Sequence, residues 1–573
     1  MTSPDGPGEA LASLSRHTLL SINLNAAELP SEDAAQELLD TVLSSIGQLQ
    51  HFFDPREFSD RLAQAYQFRD FTTGKVDIWH IEMLLVLAVG RVLQSKYQND
   101  RKQPPGFHYF LAARSAMPDL CTLRATGTIA IEVLGLTAFY LQCVGHREDA
   151  YIHSGTALRL CISSGLNQPP SDHMVRSQKE YRKRLWWTIY MQERRLTAAA
   201  GYPLAFHDDV VHTPMPIETP GFMSPKTMNV NIEIAITTAE IVKVVYSSRS
   251  TSETDFASNV QSILLRLAEI RKSIPYPMSL DFSRRLHDIT RASATIYLML
   301  FQAISLCTRP VLLHLARLSF QGDQESVFEV AAKPVQALAA TCIDAASHVL
   351  DILQALQAQQ LLAPFGFFDL DAAFSAAFVF VLAAKVHPKD TRSAMHLGSM
   401  ASLFDFFVDH GNSVALDRKS DIEQMRKQLL QTTDHVRHMN AHERAGNSAQ
   451  TSNDRLNTTQ DHESTNVITG MHQGRSKGKN TKEQSEPNLS SNPNLVNDDR
   501  TQFCNLNAVF DTEAEAFTYL PMDFAVYDTS LWEDSHDIYQ YYNTENLMLS
   551  GSIETDWDQL ERQIIPWDAL NDF

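Results

Sequence analysis

The stretch that decides the fold runs from residue 150 to residue 216. It reads AYIHSGTALRLCISSGLNQPP over 150–170, EYRKRLWWTIYMQERR over 180–195 and GYPLAFHDDVVHTPMP over 201–216. In the first segment apolar residues recur at helical spacing until Gly165, a residue type that often follows the end of a helix. Pro169 and Pro170 then interrupt helical structure. The sequence therefore predicts a helix, a break and a second helix.

The second helix is predicted to run from about residue 178 to about residue 200. Ser177 followed by Glu180 has the form of a capping box at its start. Gly201 and Pro203 are expected to end it, because glycine tolerates the left-handed backbone of a helix C-terminus. Between them, leucine, isoleucine, tryptophan and tyrosine form an apolar stripe wide enough to face a core. This helix should therefore face the core.

Cations also cluster on this predicted helix, at Arg182, Lys183, Arg184, Arg194 and Arg195. Clustered cations can bind nucleic-acid phosphates. However, Glu180 lies four residues before Arg184, which is the spacing of an ion pair within a helix. Charges beside an apolar stripe usually lie on its solvated border or pair with one another. We therefore interpret the stretch as a packing element, with Arg182 and Arg184 in local ion pairs.

The same stretch resembles the signature of the fungal-specific transcription factor domain, the helical middle region of fungal zinc-cluster regulators. The resemblance implies a structural role for Gly155, Ala157, Arg159, Gly165, Leu166, Glu180, Arg182, Lys183, Arg184, Trp186, Trp187, Tyr190, Glu193, Arg194, Gly201 and Pro203. Lys183, Glu193 and Tyr202 differ from the commonest residues of the family. The resemblance covers residues 29–440 and implies one large all-α regulatory domain.

Further helices are predicted throughout this region, with little strand-like alternation. Ser31 is a candidate cap for the first of them, and residues 81–97 should form a helix buried nearly all round. Two long segments, 283–319 and 395–438, are predicted as helical. Pro310 is expected to kink or divide the first of these, because proline lacks a backbone donor. No apolar run reaches the length that spans a bilayer, so no membrane contact is expected.

The remaining residues divide into three segments by composition. Residues 1–28 are expected to be a loosely ordered leader. Residues 441–505 are polar with few aliphatic side chains, and such a segment cannot bury enough apolar surface to offset its ordering entropy. It is therefore predicted to be a disordered linker. The linker contains GRSKGKNTK, which is one possible nuclear-import signal.

Residues 506–573 form an acidic, aromatic tail. Between Asp511 and Phe573 there are 15 acidic residues and a single Arg562, a balance of −14 within a total of −20. Interleaved acidic and aromatic residues are typical of activation segments that recruit a coactivator. The side chains predicted to do so are Phe524, Trp532, Trp557 and Trp567. Alternatively, ETDWDQLERQIIPWDAL is a last helix that docks on the helical domain. Activation and docking are compatible if docking is regulated.

The cysteines do not predict a metal site. The six are scattered without a Cys-x-x-Cys pair, and none precedes Cys121. Most lie in apolar helical patterns, where a buried free thiol is expected. The family that the stretch resembles reads DNA through a six-cysteine zinc cluster, so no cofactor is assigned to this chain. Zinc, and DNA contact, are expected only through a missing N-terminal module or a partner protein.

His207, Asp208 and Asp209 resemble metal ligands of an all-helical hydrolase. They follow a Gly-x-Pro turn and precede Pro214 and Pro216, which predicts an extended loop rather than ligand-bearing helices. No phosphate-binding loop or nucleophile elbow occurs in the sequence. We therefore expect a protein that is not an enzyme, and no catalytic, cofactor-binding, metal-binding or DNA-binding residue is assigned.

The resemblance implies a nuclear transcriptional regulator, shuttling with the cytoplasm, of metabolic or secondary-metabolite genes. Its helical domain would respond to a small-molecule effector or act in a homo- or heterodimer, and its tail would recruit the transcription machinery as an activator. The alternative is a corepressor or partner that lacks DNA binding and acts through a complete zinc-cluster regulator. A metal-dependent hydrolase is the third hypothesis.

Overall fold

The computed structural model describes residues 29–68, 77–94, 103–246, 253–321 and 327–427. Within these ranges every regular element is a helix and there is no β-strand, so the predicted all-α class is confirmed. The predicted leader (1–28), linker (441–505) and acidic tail (506–573) lie outside the described residues.

The described helices follow one another in chain order, and the longest described connection, residues 201–225, joins α8 to α9. They are α1 (Glu32–Ile46), α2 (Pro55–Phe68), α3 (Ile78–Leu93), α4 (Phe107–Ala116), α5 (Leu120–Ala125), α6 (Thr128–Cys143), α7 (Arg147–Ser163), α8 (Arg176–Ala200), α9 (Lys226–Val245), α10 (Glu253–Ser273), α11 (Arg291–Gln321), α12 (Val327–Val330), α13 (Lys333–Ala358), α14 (Phe367–Val386) and α15 (Thr391–Asp409).

The N-terminal helices pack around α3. Ser31 caps α1 as predicted, by accepting a hydrogen bond from the backbone of Ala34. In α3, 14 of 16 residues are buried, which confirms the prediction of a helix apolar nearly all round. A Cβ on Gly90 would lie 2.8 Å from the carbonyl oxygen of Leu38. Glycine at this position therefore allows α1 and α3 to approach closely.

Helix α9 connects two groups of helices. On one side α9 packs on α8. Helix α8 packs in turn on α7, and α7 packs on α6. On the other side it packs on α10 and α11, and α11 packs on α13 and α14. Their buried apolar side chains form one continuous core. The signature stretch, which forms α7, α8 and the loop after α8, thus lies beside the central connection.

Helix α11 is not divided by Pro310 but continues through it. The carbonyl of Leu306, four residues earlier, would normally accept the hydrogen bond that proline cannot donate. Here this oxygen accepts a bond from the hydroxyl of Tyr246 at 2.7 Å. A side chain from the end of α9 thus replaces the missing donor. Pro310 was expected to kink or divide the helix, and the division does not occur.

Three predicted helix bounds also differ. Helix α8 starts at Arg176 without a side-chain cap, so the capping box of Ser177 and Glu180 does not form. Helix α11 starts at Arg291 and not near residue 283. The predicted segment 395–438 is interrupted by a turn at Gly411, and a new helix runs from 413 to 427, the last described residue.

Two of the described helices are long and apolar enough to cross a membrane by length and composition alone, which differs from the sequence expectation. They are Arg291–Ser319 and Phe367–Val386, and 72% of each apolar window is buried inside the protein. Core helices show the same combination of length, apolarity and burial.

Candidate functional site

The signature residues lie at the contact of α7, α8 and the loop that follows α8. Gly165 and Gly201 have left-handed backbones, with φ of 68° and 70°, which L-residues with a Cβ rarely adopt. Gly165 follows the end of α7, and Gly201 ends α8, both as predicted. The loop after Gly201 then returns to the end of α7. There Asn167 donates to the carbonyl of Val210 at 3.1 Å and accepts from the backbone of His212 at 2.8 Å.

Glu180 is the centre of a buried charge cluster in the first half of α8. Its carboxylate meets Lys183 Nζ at 2.5 Å and Arg184 Nε at 2.9 Å, and both cations are buried. It also accepts a hydrogen bond from the backbone N–H of Ile217 at 3.1 Å. Glu180 therefore holds two cations of its own helix and the end of the returning loop.

Arg194 is the buried centre of a second charge cluster, in the second half of α8. Its Nη1 lies 3.1 Å from Glu193, and its Nη2 lies 2.8 Å from Asp208 and 3.1 Å from the carbonyl oxygen of Phe206. The guanidinium carbon is 4.2 Å from the centre of the Phe206 ring. Tyr190 donates to the same Asp208 at 2.9 Å. These bonds fix the first half of the loop against α8.

The two tryptophans of the signature are core residues. Trp186 has no exposed surface, and Trp187 is 5% exposed. Trp187 Nε1 donates to the carbonyl of Pro214 at 3.1 Å, so this side chain binds the loop between the two charge clusters. The rings of Trp187 and Tyr190 meet edge to face at 5.2 Å. The interpretation of these residues as packing anchors agrees with these contacts.

The other signature residues have more varied positions. Gly155 and Ala157 are buried in α7, whereas Arg159 and Pro203 are exposed. Arg182 does not form a local ion pair within α8. It donates to the carbonyl of Ser164 at 2.9 Å, so it joins α8 to the end of α7. The expectation for Arg182 was therefore wrong, and that for Arg184 is correct.

For three of the five cations on α8, these contacts argue against the DNA-contact interpretation. Lys183, Arg184 and Arg194 are buried and bonded to carboxylates of the same chain. A buried guanidinium already paired with a carboxylate is not available to a phosphate.

A pair of buried carboxyl groups lies next to the signature and was missed by the sequence analysis. Glu82 of α3 and Glu132 of α6 are both buried, and Glu132 accepts a hydrogen bond from the hydroxyl of Tyr181 of α8. Burial, together with the proximity of Glu132, raises the pKa of Glu82 well above its usual range, and burial also raises the pKa of Glu132. The pair therefore retains a proton under conditions in which exposed carboxyl groups are ionised. No local pattern signals it, because its two members lie on separate helices and Tyr181, which bonds to Glu132, lies on a third.

The residues that resemble metal ligands in the sequence have structural contacts instead. Asp208 accepts hydrogen bonds from Tyr190 and Arg194, and residues 208–210 form a short 3-10 turn rather than an extended loop. In the part of the chain that the structure describes, no group of three or more His, Cys, Asp or Glu side chains could hold a metal ion. Cys143, Cys161, Cys307 and Cys342 are buried free thiols as expected, whereas Cys121 is exposed. The predicted activation residues Phe524, Trp532, Trp557 and Trp567 lie outside the described residues.

The comparisons with known proteins agree with this geometry. A transcriptional regulatory protein of Schizosaccharomyces pombe is 23% identical over 316 residues, which make up 53% of this chain and 39% of that protein. The thiamine repressible genes regulatory protein of the same yeast is 24% identical over 314 residues, covering 52% of this chain and 39% of its own length. The activator of stress genes 1 of Saccharomyces cerevisiae is 21% identical over 315 residues, covering 50% of this chain and 32% of its own length.

The chain spans no more than 39% of the length of these three curated relatives. No solved structure matches it. The names of the three relatives describe regulatory proteins or, for the third, an activator. The profile of the fungal specific transcription factor domain matches residues 79–326. This range contains α4 to α11, all but the first residue of α3, and the whole signature. Over residues 79–326, less than half of its length, this chain is therefore similar to the fungal specific transcription factor domain family.

Proposed function

We propose that this protein regulates transcription, as an activator, with the helical domain as its regulatory part. The observation that carries the proposal is the family match over residues 79–326, within which the signature residues form one interlocked unit. Since the charged groups of this unit are mostly bonded inside the protein, its role is to hold a regulatory domain together and not to perform chemistry.

The acidic tail, residues 506–573, is the proposed activation segment. The support is its composition, in which carboxylates alternate with aromatic side chains. Charge repulsion favours an open chain, and the aromatic rings supply the apolar contacts that a coactivator groove binds. The transcription machinery is thus the proposed partner of the tail.

DNA is reached, in this proposal, through a zinc-cluster module or a partner protein outside the sequence given. The protein then acts in the nucleus and shuttles with the cytoplasm, as a homo- or heterodimer, on metabolic or secondary-metabolite genes. The reading frame upstream of Met1 tests the first route, because six cysteines with zinc-cluster spacing there would supply the DNA reader. If that cluster is absent, the protein acts through a complete regulator.

The activation proposal is tested by fusing residues 506–573 to an unrelated DNA-binding domain and measuring a reporter. We expect activation, and we expect replacement of Trp532, Trp557 and Trp567 by Ala to abolish it. A fusion of the linker, residues 441–505, is the matched control and should be silent. If the tail fusion is silent although the fusion protein is present at the level of an active control, the tail does not activate.

A transcript comparison separates an activator from a corepressor. Loss of an activator lowers the transcripts of its target genes, and loss of a corepressor raises them. We expect lower levels in a deletion strain and recovery when the gene is restored. Raised target transcripts would favour the alternative of a corepressor.

A further inference from the structure

Arg195 of α8 is partly buried and has no carboxylate partner among the described residues, a feature that it shares with Arg309 of α11. Arg184 pairs with Glu180 at 2.9 Å, Arg194 with Glu193 and Asp208, and Arg291 with Asp369 at 2.6 Å. Arg195, the neighbour of Arg194 in α8, forms no ion pair with any described residue. Withdrawing part of a charged group from water without an opposite charge beside it is costly, so the retention of this arginine calls for an explanation.

The surroundings of Arg195 hold it in place but do not neutralise it. Its Nη2 donates to the side-chain oxygen of Asn231 in α9, and its guanidinium carbon lies 5.4 Å from the centre of the Phe368 ring in α14. Asn231 is itself fixed by a bond to the carbonyl of Leu49 at 3.1 Å. Nη1 is buried and has no hydrogen-bond partner among the described residues. Loss of water around the guanidinium lowers the pKa of Arg195 to about 9.

A second unpartnered polar atom lies one helical turn away. Gln192 is 1% exposed, and its Nε2 donates to the carbonyl of Gly135 in α6 at 3.1 Å, while its Oε1 has no partner among the described residues. Phe139, one turn after Gly135, lies 6.4 Å from Phe368, the ring beside Arg195. A free donor and a free acceptor therefore border the same junction of α6, α8 and α14.

The end of α14 at this junction also favours negative charge. Phe368 lies in the first turn of α14, where the helix dipole is positive. Asp369, in the same turn, is already bonded by both terminal nitrogens of Arg291, at 2.6 and 2.7 Å. The local excess of positive charge therefore remains with Arg195.

We propose that Arg195 is the anion-binding residue of a small-molecule site at the junction of α6, α8, α9 and α14, and that it binds the carboxylate or phosphate group of a small metabolite. Nη1 supplies a charge-assisted hydrogen bond, and the Phe368 ring forms one wall of the site. A hydroxyl or ammonium group on the same ligand donates to Gln192 Oε1. The site specifies the chemical class of the effector that the proposed regulator would bind. To that extent the inference rests on the proposed function. Binding itself is measured without a reporter, so its failure would leave that function standing.

The test uses the full chain and four probes at equal ionic strength: inorganic phosphate, acetate, lactate and chloride. We expect phosphate or the carboxylates to raise the midpoint of thermal unfolding, because a ligand that binds only the folded state stabilises it. A response to phosphate alone assigns a phosphate group, and a response to acetate and lactate alone assigns a carboxylate. The proposal is overturned if no probe exceeds chloride.

Substitution of Arg195 then locates the binding. Arg195→Gln should weaken binding of the active probe about 10- to 100-fold, the loss of one charge-assisted hydrogen bond. Arg266→Gln, on a surface arginine paired with Glu240 at 2.8 Å, is the matched control and should keep the response. An equal response in wild type and Arg195→Gln would place the anion elsewhere and overturn the proposal.

A measurement on the wild-type chain tests the site independently of whether the Arg195 variant folds. Phenylglyoxal modifies arginine side chains, and mass spectrometry of peptides locates the modified residues. We expect the active probe to protect Arg195 and to leave Arg266 equally modified. Equal modification of Arg195 with and without the probe contradicts the site even if the variant does not fold.

Discussion

At the scale of single residues, the signature works through side chains that each bond in more than one direction. Glu180 binds two cations of its own helix and the backbone of Ile217. The pairing with Arg184 could be predicted from the four-residue spacing. The bond to Ile217 could not, because it depends on the path of a loop that returns 37 residues later.

Glu180→Gln should destabilise the protein by about 3 to 5 kcal/mol, since it leaves the buried Lys183 and Arg184 without a negative partner. The measurement is the free energy of unfolding in urea. Glu269→Gln is the control, because it breaks the ion pair with Lys272 at a position where Glu269 is 72% exposed. It should lower the free energy of unfolding by less than about 1 kcal/mol. Equal losses in the two variants would contradict the assigned role of Glu180.

At the scale of helices, α11 shows how one element supplies what another lacks. Pro310 removes a donor from the helix, and Tyr246 at the end of α9 supplies it to Leu306. The sequence correctly identified the missing donor. It could not identify the replacement, which lies 60 residues earlier in the chain.

Tyr246→Phe should cost about 1 to 3 kcal/mol in unfolding free energy, because the carbonyl of Leu306 loses its partner. In a Pro310→Ala background the helix regains its own N–H donor, so the same change should cost clearly less. A double-mutant cycle measures the difference. If the cost of Tyr246→Phe is the same in both backgrounds, the hydroxyl does not substitute for the missing donor.

The carboxyl pair of Glu82 and Glu132 links α3, α6 and α8 and should make stability depend on pH. Burial raises both pKa values above those of the unfolded chain, so the folded protein binds more protons. This contribution is complete below the ordinary carboxyl pKa, near pH 4, and is lost as pH rises through the raised values. Unfolding free energy should therefore fall as pH rises from about 5 through neutrality.

Glu132→Gln should flatten this dependence by up to about 1.4 kcal/mol per pH unit, the contribution of one titrating group. The measurement is urea unfolding at several pH values. Glu269→Gln, which changes an exposed group, is the control and should leave the slope unchanged. The same slope in Glu132→Gln and wild type would show that the pair does not titrate as inferred.

At the scale of the whole molecule, one apolar core connects the helices before α9 with those after it. The composition of residues 441–505 predicts a segment without such a core. We expect limited digestion of the full chain with trypsin to cut first at Arg475, Lys477, Lys479 or Lys482, and to leave a fragment that contains α1 to α15. Mass spectrometry of early fragments checks this. First cuts within α3 to α11 would contradict the predicted organisation.

The sequence by itself determined the helical class, the ends of α7 and α8 at glycine, the burial of α3 and the family signature. These features depend on the spacing of apolar residues and on local backbone preferences, which neighbouring residues already specify. Only the tertiary structure decided which charges are paired. Arg182 binds α7 instead of its own helix, Arg194 binds the loop, and Arg195 binds no carboxylate among the described residues. Their partners come from distant segments, and the free energy of a buried charge depends on those partners and on lost solvent rather than on sequence spacing.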